Sequence, residues 1–278
     1  KRTRAAESGT GVPPRAAAHT AVPRTHYARH VVLLEGCVQP GLRTAINVAA
    51  ARVLERLGVG VVRVAGEHCC GALGHHLGQA GQAHEQVRRN VEACSAALDA
   101  GAEAIVSTAS ACGLMVKDYG RLLAHDPAHA ARARRVSEAT RDLAEVIASE
   151  DIRRAARERD GGPHVAWRRV AWQAPCTLQH GQRIGGRVEE LLAAAGCVLT
   201  STSESKLCCG SAGTYSLLQP ELSGELRRRK LAALLGDTPQ VIATANIGCL
   251  EHLRGASPVP VRHWIEIVAD AIDPPRIL

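Results

Sequence analysis

Ten cysteines stand in a chain of 278 residues, and eight of them fall into two copies of one spacing. Cys37 is followed after 31 intervening residues by Cys69 and Cys70 and then Gly71; Cys176 is followed after 31 by Cys208 and Cys209 and then Gly210. A lone cysteine closes each set, Cys112 with 41 residues between it and Cys70, and Cys249 with 39 between it and Cys209. Thiolates are soft donors, and four of them delivered from three turns suit a multi-iron or zinc site. Neighbouring cysteines cannot easily close an unstrained disulfide on each other, given the Cα separations such a bond prefers. A glycine after each pair permits a positive φ and lets backbone amides approach a bulky anionic group. Cys37, Cys69, Cys70, Cys112, Cys176, Cys208, Cys209 and Cys249 are therefore candidate metal ligands, and Gly71 and Gly210 candidate cofactor contacts.

The other two thiols lack repeat mates. At the offset of 139 residues that relates the cysteine sets, Cys94 falls on Ala233 and Cys197 on Gly58, and Cys94 shares the apolar face of Val87, Val91 and Leu98. Both read as core, where free cysteine behaves as a small hydrophobe. Among the histidines near the cysteine turns, His68, His180 and His252, only His252 could complete half a zinc site with Cys249. Met115 occupies the matching place in the first unit, so hydrogen bonding to a bound group or simple exposure is the better expectation for these rings.

The elements that must hold the thiols repeat as well. Ile46, Ala50, Val53, Leu54 and Leu57, with Gly58 as the stop, correspond to Ile184, Val188, Leu191, Leu192 and Ala195, with Gly196. Both sets follow the face of an amphipathic helix ended by glycine. The helices align at an offset of 138 against 139 for the cysteines, so one residue slips between them. Candidate strands are Val31–Leu34, Val59–Val64 and Ala104–Ser107 in the first unit, and Val170–Trp172, a weak one near Val198, and Val241–Ala243 in the second. Val136, Thr140, Leu143 and Ile147 read as one further helical stripe between the units. Strands alternating with helices predict an α/β fold: two duplicated cysteine-rich units, each with a small, mainly parallel sheet flanked by helices. Residues 1–30, rich in Pro, Arg, Ala and Gly without periodicity, read as a linker; residues 31–160 form the first unit with its connecting helix and 161–278 the second, the boundary lying near Gly161 and Gly162.

Composition narrows the function classes. Hydrophobic residues make up 46%, but there is no Phe and only three Trp and three Tyr, so Leu, Val, Ile and Ala must fill the interior. The net charge of +7 is spread over short arginine runs such as Arg132, Arg134 and Arg135, or Arg227 to Arg229, which read as solvated helix faces rather than a nucleic-acid surface. No apolar stretch approaches a membrane span and no export signal opens the chain, which predicts a cytoplasmic protein with reduced thiols and argues against a disulfide scaffold. The sequence starts at Lys1 and its sole methionine is Met115, as expected for a fragment of a longer polypeptide.

Two Cys-Cys-Gly units with these spacings resemble the cysteine-rich domain shared by heterodisulfide reductase, lactate-utilisation proteins and the iron-sulfur subunit of glycolate oxidase. The flanking segments Leu34-Glu35-Gly36-Cys37-Val38-Gln39-Pro40, Val116-Lys117-Asp118-Tyr119-Gly120, Pro175-Cys176-Thr177-Leu178-Gln179-His180-Gly181, Cys208 to Leu218 and Ala245-Asn246-Ile247-Gly248-Cys249 look like the glycolate oxidase subunit in particular. The resemblance covers about residues 30 to 270. It implies an electron-transfer subunit holding iron-sulfur clusters, with 4Fe-4S the expected type. Partners would be flavin-bearing subunits that oxidise glycolate to glyoxylate and a quinone-like acceptor, with peripheral contact at the inner membrane. This chain alone would be inactive. Relatives carry a ferredoxin ahead of the two units, and no such C-x-x-C-x-x-C run is present here. The fullest family motif ends in C-x-x-C, whereas Ala109 and Asn246 stand at the earlier of those positions. The alternatives are a zinc-stabilised or metal-free assembly module and a thiol-disulfide redox protein.

Overall fold

Short runs two to six residues long, mostly β-branched and aliphatic and set between longer amphipathic segments, build two sheets in the computed structural model, which describes residues 27–67, 69–159 and 165–273. The first contains β1 (Arg29–Leu34), β2 (Val59–Val62), β3 (Ala104–Ser107) and β4 (Thr140–Asp142) in the order β2-β1-β3-β4. The second contains β5 (Arg169–Gln173), β6 (Val198–Leu199), β7 (Val241–Thr244) and β8 (Val261–His263) in the order β6-β5-β7-β8. Every pairing is parallel, with Val31 opposite both Val61 and Ala104, and Val170 opposite both Leu199 and Val241. Parallel strands need helical crossovers, and the fold supplies them: α1 (Thr44–Arg56), α2 (Ala80–Asp99), α3 (Ser110–Lys117), α4 (Ala130–Ala139) and α5 (Ser149–Arg157) in the first half, and α6 (Arg187–Ala194), α7 (Pro220–Leu235), α8 (Ile247–Arg254) and α9 (Trp264–Ile272) in the second. The expected α/β architecture of two units is thus present, with sheets wholly parallel.

Two elements differ from the sequence reading. The stripe Val136, Thr140, Leu143, Ile147 is not one helix: α4 ends at Ala139, β4 occupies Thr140–Asp142, and a short helix follows at Leu143–Val146. The break is chemical. The Asp142 side chain accepts from the Ala144 amide while Glu145 reaches back to the Asp142 amide, a capping box that restarts the helix. β8, also absent from the sequence reading, ends in the same way, with His263 and Glu266 capping α9. These fourth strands complete each sheet. Residues 1–26 of the expected linker, His68 and the boundary glycines Gly161 and Gly162 lie outside the described residues.

Strand alternation sorts the first sheet's side chains between its two faces. Val32, Leu34 and Ile105 join Val87, Val91, Tyr119 and Val136 beneath α2 and α4. Val31, Leu33, Ala104 and Val106 join a larger cluster that runs without interruption into the second half. There α9 packs on α1, and α5 on α6, so the last helix of each half lies against the first helix of the other. α9 is apolar nearly all round, with Trp264, Ile265, Val268 and Ile272 buried, as a helix must be when it is enclosed. Each such aliphatic side chain contributes roughly 1.5–3 kcal/mol by leaving water. No helix among the described residues is long and apolar enough to cross a membrane.

Candidate metal centre

In a parallel sheet, ligands collect beyond the carboxyl ends of the strands where strand order reverses. The reversal lies between β1 and β3 in the first half and between β5 and β7 in the second, and the cysteine turns are placed there. Cys37 follows β1, Cys69 and Cys70 follow β2, and Cys112 sits in the first turn of α3, directly after β3. Cys176 follows β5, Cys208 and Cys209 follow β6, and Cys249 sits in the first turn of α8, after β7. The structure brings together all four expected thiols in each half.

The sulfurs meet in succession. Cys37 Sγ lies 3.4 Å from Cys69 Sγ, Cys69 is hydrogen-bonded to Cys70, and Cys70 to Cys112. In the second half Cys176 bonds Cys208, Cys208 bonds Cys209, and Cys209 Sγ lies 3.1 Å from Cys249 Sγ. Among the described residues, no group of three or more His, Cys, Asp or Glu side chains is arranged to hold a single metal ion. Four thiols gathered beyond the strand ends make an arrangement suited to a group with several attachment atoms. Its donor set, four soft thiolates per half, is that of an iron-sulfur cluster, so the residues fit such a group.

Both rows share protons in the same alternating pattern. Hydrogen bonds from Cys37 and then Cys70 pull the Cys69 thiol down to about 2. Those from Cys176 and Cys209 do the same to Cys208, also to about 2. Cys112 and Cys249 are lowered too, chiefly by the bonds from Cys70 and Cys209, and each also lies in the first turn of a helix, where peptide dipoles favour negative charge. Donation to these thiolates pushes the thiols of Cys37, Cys70, Cys176 and Cys209 far up, with burial adding to it. Metal loading must displace the protons that each quartet still holds.

The glycines act as their types suggest. Gly71 has φ +88° and Gly210 φ +93°, and the Gly210 amide donates to Cys208 Sγ at 3.3 Å. A Cβ on Gly71 would meet the Ala83 carbonyl oxygen at 3.2 Å, and on Gly210 the Ser223 carbonyl oxygen at 2.5 Å. Met115 touches the first glycine site and His252 the second. His252 Nε2 is 3.4 Å from the Ser223 carbonyl oxygen and 3.3 Å from Ser223 Oγ, so this ring braces the glycine turn. His180 is exposed. Cys94 and Cys197 are buried in the hydrophobic clusters, and burial raises their thiols to about 12 and about 11.

Supporting residues outside the cysteine spacing came only from the structure. Asn90 donates to the Cys69 carbonyl and to Tyr119 Oη, each at 3.0 Å, and Tyr119 donates to the Cys70 carbonyl at 2.9 Å. The Glu67 carboxylate accepts from the Glu35 and Gly36 amides at 3.0 and 2.7 Å, fixing the turn that carries Cys37. Lys230, wholly buried, donates to the carbonyls of Glu204 and Ser205 at 3.2 and 3.0 Å, ahead of Cys208. A polar residue inside an otherwise apolar helix face, as at Asn90 in α2, was the available signal; Lys230 gave none, since it follows three arginines.

The two centres adjoin. Ser110, two residues before Cys112, donates its amide to the Ala245 carbonyl at 3.0 Å, and its hydroxyl lies 2.8 Å from that of Thr177, next to Cys176. Gln182 Nε2 donates to the Ser110 carbonyl at 2.9 Å, and His263 Nε2 to the Thr108 carbonyl at 2.9 Å.

Comparison with known proteins agrees with this duplicated site. The family model of the CCG cysteine-rich domain matches twice, over residues 31–117 and 170–254. The glycolate oxidase iron-sulfur subunit of Escherichia coli (strain K12) is 45% identical over 251 residues, which cover 90% of this chain and 60% of that protein. Lactate utilization protein A of Bacillus velezensis is 28% identical, with 81% of this chain and 90% of that protein covered. A solved structure, a hypothetical protein from Helicobacter pylori, shares the fold with a TM-score of 0.59 at 11% identity, covering 88% of this chain and 49% of that one. The chain thus spans about 60% of the length of the Escherichia coli relative.

Proposed function

Because the chain belongs to the CCG cysteine-rich domain family, we propose that it is the cysteine-rich part of the iron-sulfur subunit of a glycolate-oxidising complex. In this reading it connects flavin-bearing partner subunits to a quinone-like acceptor and is inactive by itself. The observation that carries it is the presence of two equivalent rows of four thiols at the switch points of two parallel sheets. Residues 31–160 and 161–278 each supply one row. Bound clusters, expected to be of the 4Fe-4S type, would supply one-electron oxidation and reduction. Cys37, Cys69, Cys70 and Cys112 would hold one, and Cys176, Cys208, Cys209 and Cys249 the other. Gly71 and Gly210 would leave room for a bulky ligand and turn amides toward it. The complex is placed in the cytoplasm, with peripheral contact at the inner membrane.

The similarity to the Escherichia coli protein, which extends through both cysteine sets, supports glycolate over other substrates. Four soft thiolates in each half, with no group of side chains among the described residues arranged for a single metal ion, support a cluster over a lone zinc ion. Anaerobic purification tests the reading. The expected sample is brown, contains iron and sulfide in equal amounts, and gives an electron paramagnetic resonance signal on reduction. Cys37→Ser and Cys176→Ser should each remove about half of the iron. A colourless protein that takes up zinc alone would replace the relay with an assembly role.

A further inference from the structure

The two halves match so closely at their thiols that their differences stand out. Helices α2 and α7 start 140 residues apart, at Ala80 and Pro220. At that offset the Ala83 carbonyl that faces Gly71 corresponds to the Ser223 carbonyl that faces Gly210. Asn90 and Lys230 then occupy one structural place, each buried and each donating to a backbone carbonyl of its own Cys-Cys segment or the loop before it. One is a neutral amide and the other an ammonium. Lys230 lies within electrostatic reach of all four thiols of its row, Cys176, Cys208, Cys209 and Cys249. The Lys230 ammonium donates hydrogen bonds to the carbonyl oxygens of Glu204 and Ser205, and the Glu204 carboxylate in its reach is itself paired with Arg229.

The first row faces the opposite sign. Glu67, whose carboxyl burial pushes up while hydrogen bonds from the Glu35 and Gly36 amides hold it down, acts on Cys112. At the cysteine offset of 139 its counterpart is Lys206. Among the described residues, no cation stands with the chief groups that shift Cys37, Cys69, Cys70 or Cys112. In a low-dielectric interior a buried charge acts more strongly on a neighbour than it would in water, and charge near a cluster is one of the levers that sets its potential.

We propose that Lys230 and Glu67 make the two centres electrostatically unequal, so that the row of Cys176, Cys208, Cys209 and Cys249 holds the more readily reduced group. The inference rests on the iron-sulfur reading given above. Lys230 is a positioning residue in this account: it acts through its charge on the ligand row and touches no substrate. The same lysine also secures the loop before Cys208, and the two roles separate by substitution. Lys230→Gln keeps hydrogen-bond donors for the carbonyls and removes the charge, while Lys230→Arg keeps both.

The test is a redox titration of the full chain, reconstituted anaerobically with iron and sulfide and followed by electron paramagnetic resonance and visible absorbance. A protein carrying Cys37→Ser and Cys69→Ser isolates the second centre. Lys230→Gln should lower the reduced-to-oxidised ratio of that centre about tenfold at fixed potential, about 59 mV for a one-electron couple, and Lys230→Arg should restore it. Glu67→Gln should shift the first centre upward in potential and leave the second unmoved; it decides the matter if Lys230→Gln fails to fold. Loaded centres whose potentials ignore both substitutions, or an arginine variant that behaves like the glutamine one, would overturn the proposal. Failure of the unmodified chain to take up iron and sulfide would instead remove the relay reading beneath it.

Discussion

Replacing single glycines with alanine separates the cost of a left-handed backbone from the cost of filling space, and the chain supplies a graded series. Gly58, Gly71 and Gly210 all have positive φ, at +80°, +88° and +93°. A Cβ on Gly58 meets nothing within 4 Å, on Gly71 it meets a carbonyl oxygen at 3.2 Å, and on Gly210 one at 2.5 Å with His252 Nε2 and Leu226 Cβ at 3.1 Å. An L-residue in the left-handed region costs about 1–2 kcal/mol, so Gly58→Ala should lose that much and Gly71→Ala slightly more. At Gly210 the obstructing atom is backbone of α7, which cannot rotate away, and overpacking of this kind adds roughly 1–3 kcal/mol. Gly210→Ala should thus lose about 2–5 kcal/mol, a large part of a typical domain's stability. Urea unfolding at one pH measures all three. Iron content supplies a second readout: Gly210→Ala disturbs the amide that donates to Cys208 and should empty the second centre selectively, while Gly58→Ala leaves both loaded. Equal losses for Gly58→Ala and Gly210→Ala would refute the argument that contact across the Cys-Cys-Gly turn is what demands glycine there.

Two buried caps should act on stability in opposite directions over the same pH window and largely offset each other. Burial raises Asp142 to about 7, so its folded form holds a proton that the unfolded chain releases above about 4; the contribution is present at low pH and is lost as pH climbs toward 7. Burial lowers His263 to about 4, so its contribution is present above about 6.5 and is lost as pH falls toward 4. Each loss is on the order of 3–4 kcal/mol at about 1.4 kcal/mol per pH unit. Denaturant midpoints should vary little between about pH 4 and 6.5 in the unmodified chain, rise with pH across that window in Asp142→Asn and fall with pH in His263→Asn; variants whose profiles stay parallel to that of the unmodified chain would sink this account. Cys94→Ala should cost on the order of 1 kcal/mol in stability and leave iron per chain unchanged, because its thiol belongs to the packed face of α2. Loss of iron in that variant would make Cys94 a ligand.

The thiol rows were legible because metal-ligand spacing is a property of the chain itself: Cys37 to Cys69 and Cys176 to Cys208 repeat the same interval. Three strands per half were legible for a similar reason, since Val31–Leu34 and Val241–Ala243 are compact aliphatic runs. β4 and β8 were not, because three residues such as Thr140-Arg141-Asp142 hold too few side chains to show a period. The signal that could have found β4 was the Asp142 to Glu145 capping spacing inside the supposed stripe. The packing of α9 on α1 could not be read either. An apolar face states that a helix must be covered, not which sheet will cover it. Lys230 was hidden among Arg227, Arg228 and Arg229, where one more cation looks like more surface.

The exchange of terminal helices has a consequence for ancestry. A lone unit would leave the α1 or α6 face bare and its own last helix without a seat, and both needs are met at once by a second identical copy related by a two-fold axis. A single-unit forebear of this architecture would then have been an obligate homodimer, two protomers clasped by traded arms. Joining two such copies end to end would replace a bimolecular encounter with an intramolecular one, and would release the halves from identity, so that an amide on one side could become an ammonium on the other.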